Sequence, residues 1–256
     1  MTLKLYYASG ACSFVPHTML EMAGATFEPV AVKLHKNEQN SPEYQAINPR
    51  GQVPVLADGD EVITQIMAII AYIDARFPEN AFIPKDPLAR ARFVETLAWM
   101  NNTVHPTFTH VFMPHKFSDD EAAQGQMKRF GVGNYRKLMD ELQGLVKKAH
   151  AAGNDWLGGV HAGPLDAYAL TLLRWGTIAG INPEDYPELW AHVQRTALVP
   201  AVARAMERER LQLNLYKPDR TQRSHALWAA SACPACARRY QKMIKSAFNR
   251  VSQSAR

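Results

Sequence analysis

The chain has 256 residues, 47% of them hydrophobic and 21% charged, a mix that excludes a disordered or membrane-embedded polypeptide and leaves room for one large domain or two modest ones. The net charge of +5 is unevenly spread: from Lys217 onward there are nine Lys or Arg against one acid, whereas the first 216 residues hold 20 basic and 23 acidic residues, so the positive balance belongs to a tail and does not argue for a nucleic-acid partner. No apolar run approaches the roughly 18 to 20 residues of a spanning helix, and the start lacks the apolar core of a secretory signal, so a cytoplasmic protein with no membrane partner is expected.

Residues 3 to 8 alternate as a short strand, and Ser9-Gly10-Ala11 supplies the turn after it. A helix follows with Ser13 as expected N-cap, Pro16 in the first turn, an apolar face of Val15, Met19, Leu20 and Ala23, and Gly24 as its end. Phe27 to Val32 reads as a second strand, closing a β-α-β unit. Residues 35 to 48 are polar and irregular, with a short helix expected over Pro42 to Ile47 and a turn at Asn48-Pro49-Arg50-Gly51. Val53 to Ala57 and Glu61 to Thr64 flank Asp58-Gly59-Asp60 as a hairpin. Gln65 to Phe77 carries Ile66, Ile69, Ile70 and Ile73 at helical spacing, and Pro78 stops it.

Pro78, Pro84 and Pro87 mark residues 79–87 as a stiff linker. Beyond it the pattern is helical alone, over 88–113, 119–151, 164–179, 187–197 and 200–210, with Pro164 at a first helical position and Asp166 in that helix's first turn. Mixed α/β followed by helices predicts an α+β chain of two adjoining units. The expected division is 1–78, the linker 79–87, a helical domain over 88–216, and an appended, poorly ordered basic tail over 217–256.

Three cysteines, Cys12, Cys233 and Cys236, are too few for a disulfide framework and suit a reducing compartment. Cys12 lies between a strand-ending turn and a helix start, where free N–H groups and the helix dipole favour a thiolate. A small residue closing the turn is the alternative that the residue types leave open. Val53-Pro54 reads either as an ordinary strand start or as a cis peptide beside exposed backbone on which an extended peptide would pair as an added strand.

Taken together, Leu5-Tyr6-Tyr7, Gly10-Ala11-Cys12-Ser13 with Pro16-His17, Ile47-Asn48-Pro49-Arg50-Gly51-Gln52-Val53-Pro54-Val55-Leu56, Ala68 to Ile73 and Asp166-Ala167-Tyr168 resemble a bacterial glutathione S-transferase, most like the beta class, over roughly residues 1 to 215. The resemblance implies an N-terminal thioredoxin-like βαβαββα domain holding glutathione, an all-α C-terminal bundle receiving a small hydrophobic electrophile, and a homodimer acting in detoxification. It implies that Cys12 lies beside the glutathione sulfur and can form a mixed disulfide with it, with Ser13 as a neighbouring donor and His105 reaching across to the thiol. Val53, ahead of a cis Pro54, would offer its backbone to the cysteinyl unit. Gln52 and Lys36 would anchor the peptide and its glycyl carboxylate, and Gln65 and Ile66 the γ-glutamyl end.

Four residues at three places depart from that pattern. Gln65-Ile66 stands where the class has an acid and a small hydroxyl residue, Pro106 where it often has lysine, and Gly163 where it has an N-cap Ser or Thr. Loss of one charge-assisted hydrogen bond at Ile66 would cost about 1.5 to 3 kcal/mol. A non-catalytic binding module on the same fold is therefore the rival to a transferase, and a thiol-disulfide or peroxide-reducing role the near variant.

Other signals are discounted. His105, His110 and His115 recur every five residues and so point to different sides of a helix, which argues against a metal triad. Cys233-Pro234-Ala235-Cys236 lacks a second ligand pair, and no metal is expected.

Overall fold

The structure is a computed structural model that describes residues 2–218, nearly all of them within one compact unit, Met1–Tyr216. Apart from its first two residues, the expected basic tail, with Cys233 and Cys236, lies outside the described residues.

The first part is a four-stranded sheet with helices, in the order β1 (Leu3–Tyr7), α1 (Phe14–Met22), β2 (Phe27–Ala31), α2 (Pro42–Ile47), β3 (Val55–Asp58), β4 (Glu61–Thr64) and α3 (Ile66–Arg76). The strand order is β2-β1-β3-β4, with β1 parallel to β2 and antiparallel to β3, and β3 antiparallel to β4. This is the thioredoxin-like βαβαββα arrangement. The parallel β1–β2 pair needs the crossover that α1 supplies, while β3 and β4 are joined by the two-residue turn Gly59-Asp60. Pro29, which cannot donate to a ladder, sits on the edge strand β2.

The period of two along β1 divides the sheet's surroundings. Leu3, Leu5 and Tyr7 enter the main core with Phe14, Met19, Ile69 and Ile73. Tyr6 joins a second cluster with Val32, Tyr44 and Val55, meeting Tyr44 edge-on at 6.0 Å. That cluster anchors α2, whose N-cap Ser41 accepts from the Tyr44 N–H at 3.2 Å.

The remaining helices are α4 (Pro87–Trp99), α5 (His105–Phe112), α6 (Glu121–Ala151), α7 (Pro164–Ile178), α8 (Pro187–Ala197) and α9 (Pro200–Glu209). They form the all-α bundle. Asp86 and Asp120 cap α4 and α6 by accepting first-turn N–H groups. The expected helix over 88–113 is broken by a π-helical turn, Met100–Val104, between α4 and α5. There the His105 N–H bonds the Met100 carbonyl, five residues back, and Pro106 follows with no N–H to return the chain to its former register.

Helix α7 runs through the middle of the bundle, with all but two of its 15 residues buried. The Tyr135 hydroxyl of α6 donates to its Leu172 carbonyl at 2.7 Å. At its start Asp166 replaces the missing hydroxyl cap: its carboxylate accepts from the Gly163 N–H and the Leu157 N–H, each at 2.9 Å, and lies 2.8 Å from His192 Nε2. Among the described residues no helix is long and apolar enough to cross a membrane.

Candidate active site

The turn between β1 and α1 is fixed from three directions. Gly10 has φ of +72°, a backbone angle that favours glycine, and a Cβ there would fall 2.6 Å from Nη1 at the movable end of the Arg174 side chain. Its N–H donates to Glu209 Oε2 at 2.9 Å, and its carbonyl accepts from Trp175 Nε1 at 2.8 Å. Ser9 Oγ donates to the Glu209 carbonyl at 2.5 Å, and Glu209 Oε1 lies 2.7 Å from His17 Nδ1. The last residue of α9, only 3% exposed, thus holds the thiol turn from 199 residues away.

Ser13 does not cap α1. Its hydroxyl faces back to the end of β1, accepting from the Ala8 N–H at 3.1 Å and donating to the Ala8 carbonyl at 3.2 Å, and the side chain is fully buried. A local backbone alternative has won over the cap, as short hydroxyl side chains permit.

Cys12 is 9% exposed, and its Sγ donates to the Val53 carbonyl at 3.7 Å. Burial pushes the thiol up to about 12; the Cys12 and Ser13 N–H groups pull the other way, and the Glu209 charge adds to the rise. The expectation that the helix start favours a thiolate is therefore corrected: loss of hydration outweighs the dipole.

The Val53–Pro54 peptide bond is cis. Val53 is held ready by its neighbour, because the Tyr44 hydroxyl and Asn48 Nδ2 both donate to the Gln52 carbonyl at 2.8 Å. The Val53 N–H bonds no described residue, and its carbonyl receives only the Cys12 sulfur. The ladder pairs Val55 with Thr64, so the β4–α3 junction at Gln65 and Ile66 follows directly on the end of the strand that pairs with the segment after Pro54. Gln65 is exposed at φ 71°, ψ 123°, a region unfavourable for a non-glycine residue and a recurrent mark of ligand-contact positions. After it, the first-turn N–H groups of α3 have no intrahelical acceptors, while the Ile66 side chain is sunk in the core. Gln52 and Lys36 are exposed, Lys36 in a 3₁₀ turn at Leu34–Lys36.

His105 opens α5. Its Nδ1 is 2.9 Å from the Tyr168 hydroxyl, and its ring meets Trp175 edge-on at 4.7 Å, the same Trp175 that holds Gly10. Burial pushes the imidazole down to about 4, so it is neutral at pH 7. The Tyr168 hydroxyl also lies 3.3 Å from Asn101 Oδ1. Burial raises the Tyr168 phenol, and repulsion from Cys12 adds to that rise, which places the phenol within electrostatic reach of the thiol.

Glu209, Trp175, Tyr168 and Asn101 were not singled out by sequence as residues of the site. Glu209 carried one faint signal, an acid at the C-terminus of a helix, where the dipole disfavours it and a specific partner is needed. The spaced histidines separate as expected: His110 stacks on Phe117 at 4.1 Å, and His115 lies in the next turn. Among the described residues there is no group of three or more His, Cys, Asp or Glu suited to a metal ion.

Comparison with known proteins agrees with this geometry. Residues 1–75 match the family model described as glutathione S-transferase, N-terminal domain. Glutathione S-transferase GstA of Escherichia coli O157:H7 is 30% identical over 213 residues, 82% of this chain and 100% of GstA. Among solved structures, a glutathione S-transferase from Xylella fastidiosa superposes with a TM-score of 0.73 at 29% identity, covering 82% of this chain and 100% of its own. A sphingomonad glutathione S-transferase complexed with glutathione does so with a TM-score of 0.69 at 30% identity, covering 82% and 100%. The chain belongs to the glutathione S-transferase family.

Proposed function

We propose that this protein is a glutathione transferase, closest in mechanism to the beta class, that joins the glutathione thiolate to electrophilic carbon in small apolar compounds. The observation that carries the reading is the Cys12 sulfur 3.7 Å from the carbonyl of Val53, a residue whose N–H bonds no described residue. An extended peptide paired with Val53 through its own N–H and carbonyl sets its cysteinyl side chain beside Cys12. The γ-glutamyl carboxylate then meets the N-terminus of α3 beside Gln65, with Gln52 and Lys36 at the other end of the peptide.

The raised thiol assigns Cys12 a specific role. Protonated at neutral pH, it donates its S–H to the glutathione sulfur and stabilises that sulfur as an anion, a task needing a positioned donor and not a nucleophile. The proton that glutathione gives up leaves to solvent, and the neutral His105, oriented through Nδ1 by Tyr168, which in turn donates to Asn101 Oδ1, lies beside its path as a relay. The sulfur attacks the electrophilic carbon, a new C–S bond forms, and the leaving group departs with its electron pair. Holding both reactants in one cleft supplies the proximity.

Residues 1–78 serve as the glutathione domain, 79–87 as the linker and 88–216 as the co-substrate domain, in a cytoplasmic homodimer. A similar Sphingomonas chungbukensis enzyme, 29% identical with a TM-score of 0.69, is described as beta class and supports the beta-class reading alone. The rival reading, a binding module without turnover, is motivated by Ile66 and Pro106. Retention on immobilised glutathione together with a chlorodinitrobenzene conjugation assay separates the two. Retention with turnover supports the transferase; a folded chain that neither binds nor turns over defeats it.

A further inference from the structure

Two consecutive asparagines, Asn101 and Asn102, stand inside the π turn Met100–Val104 that leads into His105. Asparagine is a poor helix former because its short amide bonds nearby groups instead. Here Asn101 Nδ2 donates to Asn102 Oδ1 at 2.8 Å, and Asn101 Oδ1 lies 3.3 Å from the Tyr168 hydroxyl. Asn102 is exposed and has no part in any step above.

The Tyr168 hydroxyl is where this pair meets His105. Tyr168 is fully buried, and its oxygen has Asn101 Oδ1 at 3.3 Å on one side and His105 Nδ1 at 2.9 Å on the other. A hydroxyl has one proton to give, and an amide oxygen can only accept, so the contact with Asn101 takes the Tyr168 proton. The Asn101 amide cannot turn its nitrogen toward Tyr168 without losing the bond to Asn102. With its own proton given away, the Tyr168 oxygen can only accept from the imidazole, and the 2.9 Å contact therefore needs a proton on Nδ1. A neutral ring carries a single N–H, which leaves Nε2 with a lone pair. Nε2 bonds no described residue and is not sealed from solvent.

We infer that Asn101, its amide held by Asn102, is a positioning residue that acts through Tyr168 to fix His105 as the Nδ1–H tautomer, with the Nε2 lone pair free to take a proton in passing. Nε2 receives the proton and returns it to water, so the ring ends as it began. The bearing of this on conjugation rests on the transferase reading above.

Long-range proton–nitrogen correlation on the full chain, isotope-labelled at its histidines, reads the tautomer directly, and the spectrum of His105→Phe identifies the signals. The unaltered chain at pH 7 is expected to show a protonated Nδ1 and a bare Nε2. Asn101→Leu is expected to swing the ratio about tenfold or more toward Nε2–H, as the Tyr168 proton turns to Nδ1, whereas Asn101→Asp keeps an acceptor and retains the original tautomer. Conjugation follows the tautomer: kcat falls about tenfold in Asn101→Leu and recovers in Asn101→Asp, with KM for glutathione changed less than about twofold. The swing seen in a chain that conjugates nothing supports the assignment and defeats the transferase reading, so the two fail separately. The proposal is overturned by Nε2–H in the unaltered chain, by an unchanged tautomer in Asn101→Leu, by its loss in Asn101→Asp, or by a kcat that ignores the swing. If Asn101→Leu does not fold, the unaltered chain and Asn101→Asp decide.

Discussion

Glu209, the last residue of α9, accepts the Gly10 N–H at 2.9 Å, so the final helix of the bundle fixes the turn that carries the thiol of the first. The same carboxylate contacts His17 of α1 at 2.7 Å. The position of Cys12 is therefore set by three helices, α1, α7 and α9, and not by its local sequence alone.

Glu209→Ala removes the acceptor of the buried His17 ring and of the half-buried Gly10 N–H and is expected to lower stability by about 2 to 4 kcal/mol, with loss of retention on immobilised glutathione. Glu209→Gln keeps an acceptor oxygen and is expected to lose less than half as much. Urea unfolding of the three proteins measures this. Equal stability for Glu209→Ala and the unaltered chain would show that the turn holds itself.

The buried thiol gives a reactivity prediction. Because Cys12 is pushed up to about 12, iodoacetamide labelling of that residue, followed by peptide mass, is expected to rise steadily with pH and show no inflection below pH 9. An inflection near neutrality would mean that the helix dipole governs the thiol after all. Stability carries the same sign: a group whose folded value is raised contributes fully below its ordinary value of 9.0, and that contribution is lost as pH rises from there toward about 12.

His105 acts in the opposite window. Its folded value is pushed down from 6.5 to about 4, so its contribution is present above 6.5 and lost as pH falls toward 4, where the unfolded chain takes the proton first. Given its partial exposure, the loss amounts to about 2 kcal/mol. Urea midpoints at pH 7 and pH 4.5 check it: His105→Phe is expected to show a smaller difference between them than the unaltered chain. An equal difference in both proteins would remove His105 as the source.

Tyr168→Phe preserves the ring and deletes the hydroxyl that holds His105 Nδ1. A stability cost of about 1 to 2 kcal/mol is expected, with kcat for conjugation reduced about tenfold and KM for glutathione nearly unchanged. A rise in KM at constant kcat would instead place Tyr168 in binding. An unchanged kcat would show that the orientation of His105 does not matter.

Much of the fold is legible in sequence because each element is marked locally. The alternation of Leu3 to Tyr7, the isoleucines from Ile66 to Ile73 and the prolines at 78, 87, 164, 187 and 200 set strands, faces and helix starts within a residue or two. Cys12 and Val53 were also readable, through two short motifs that the structure brings within 3.7 Å. The roles of Ser13 and the charge state of Cys12 were not, since both depend on burial that the turn acquires only when α7 and α9 close over it. The π turn before His105 escaped for a similar reason. Pro106 announces a disturbance, but whether the helix kinks, ends or widens by one residue is decided by the packing of His105 on Tyr168 and Trp175.

A crystal structure of the complex with glutathione tests the central claim most directly. The account predicts the tripeptide in extended form, its cysteinyl N–H and carbonyl paired with Val53 and its sulfur in contact with Cys12 Sγ. Glutathione bound elsewhere, with the Cys12 sulfur still resting on the Val53 carbonyl, would contradict it.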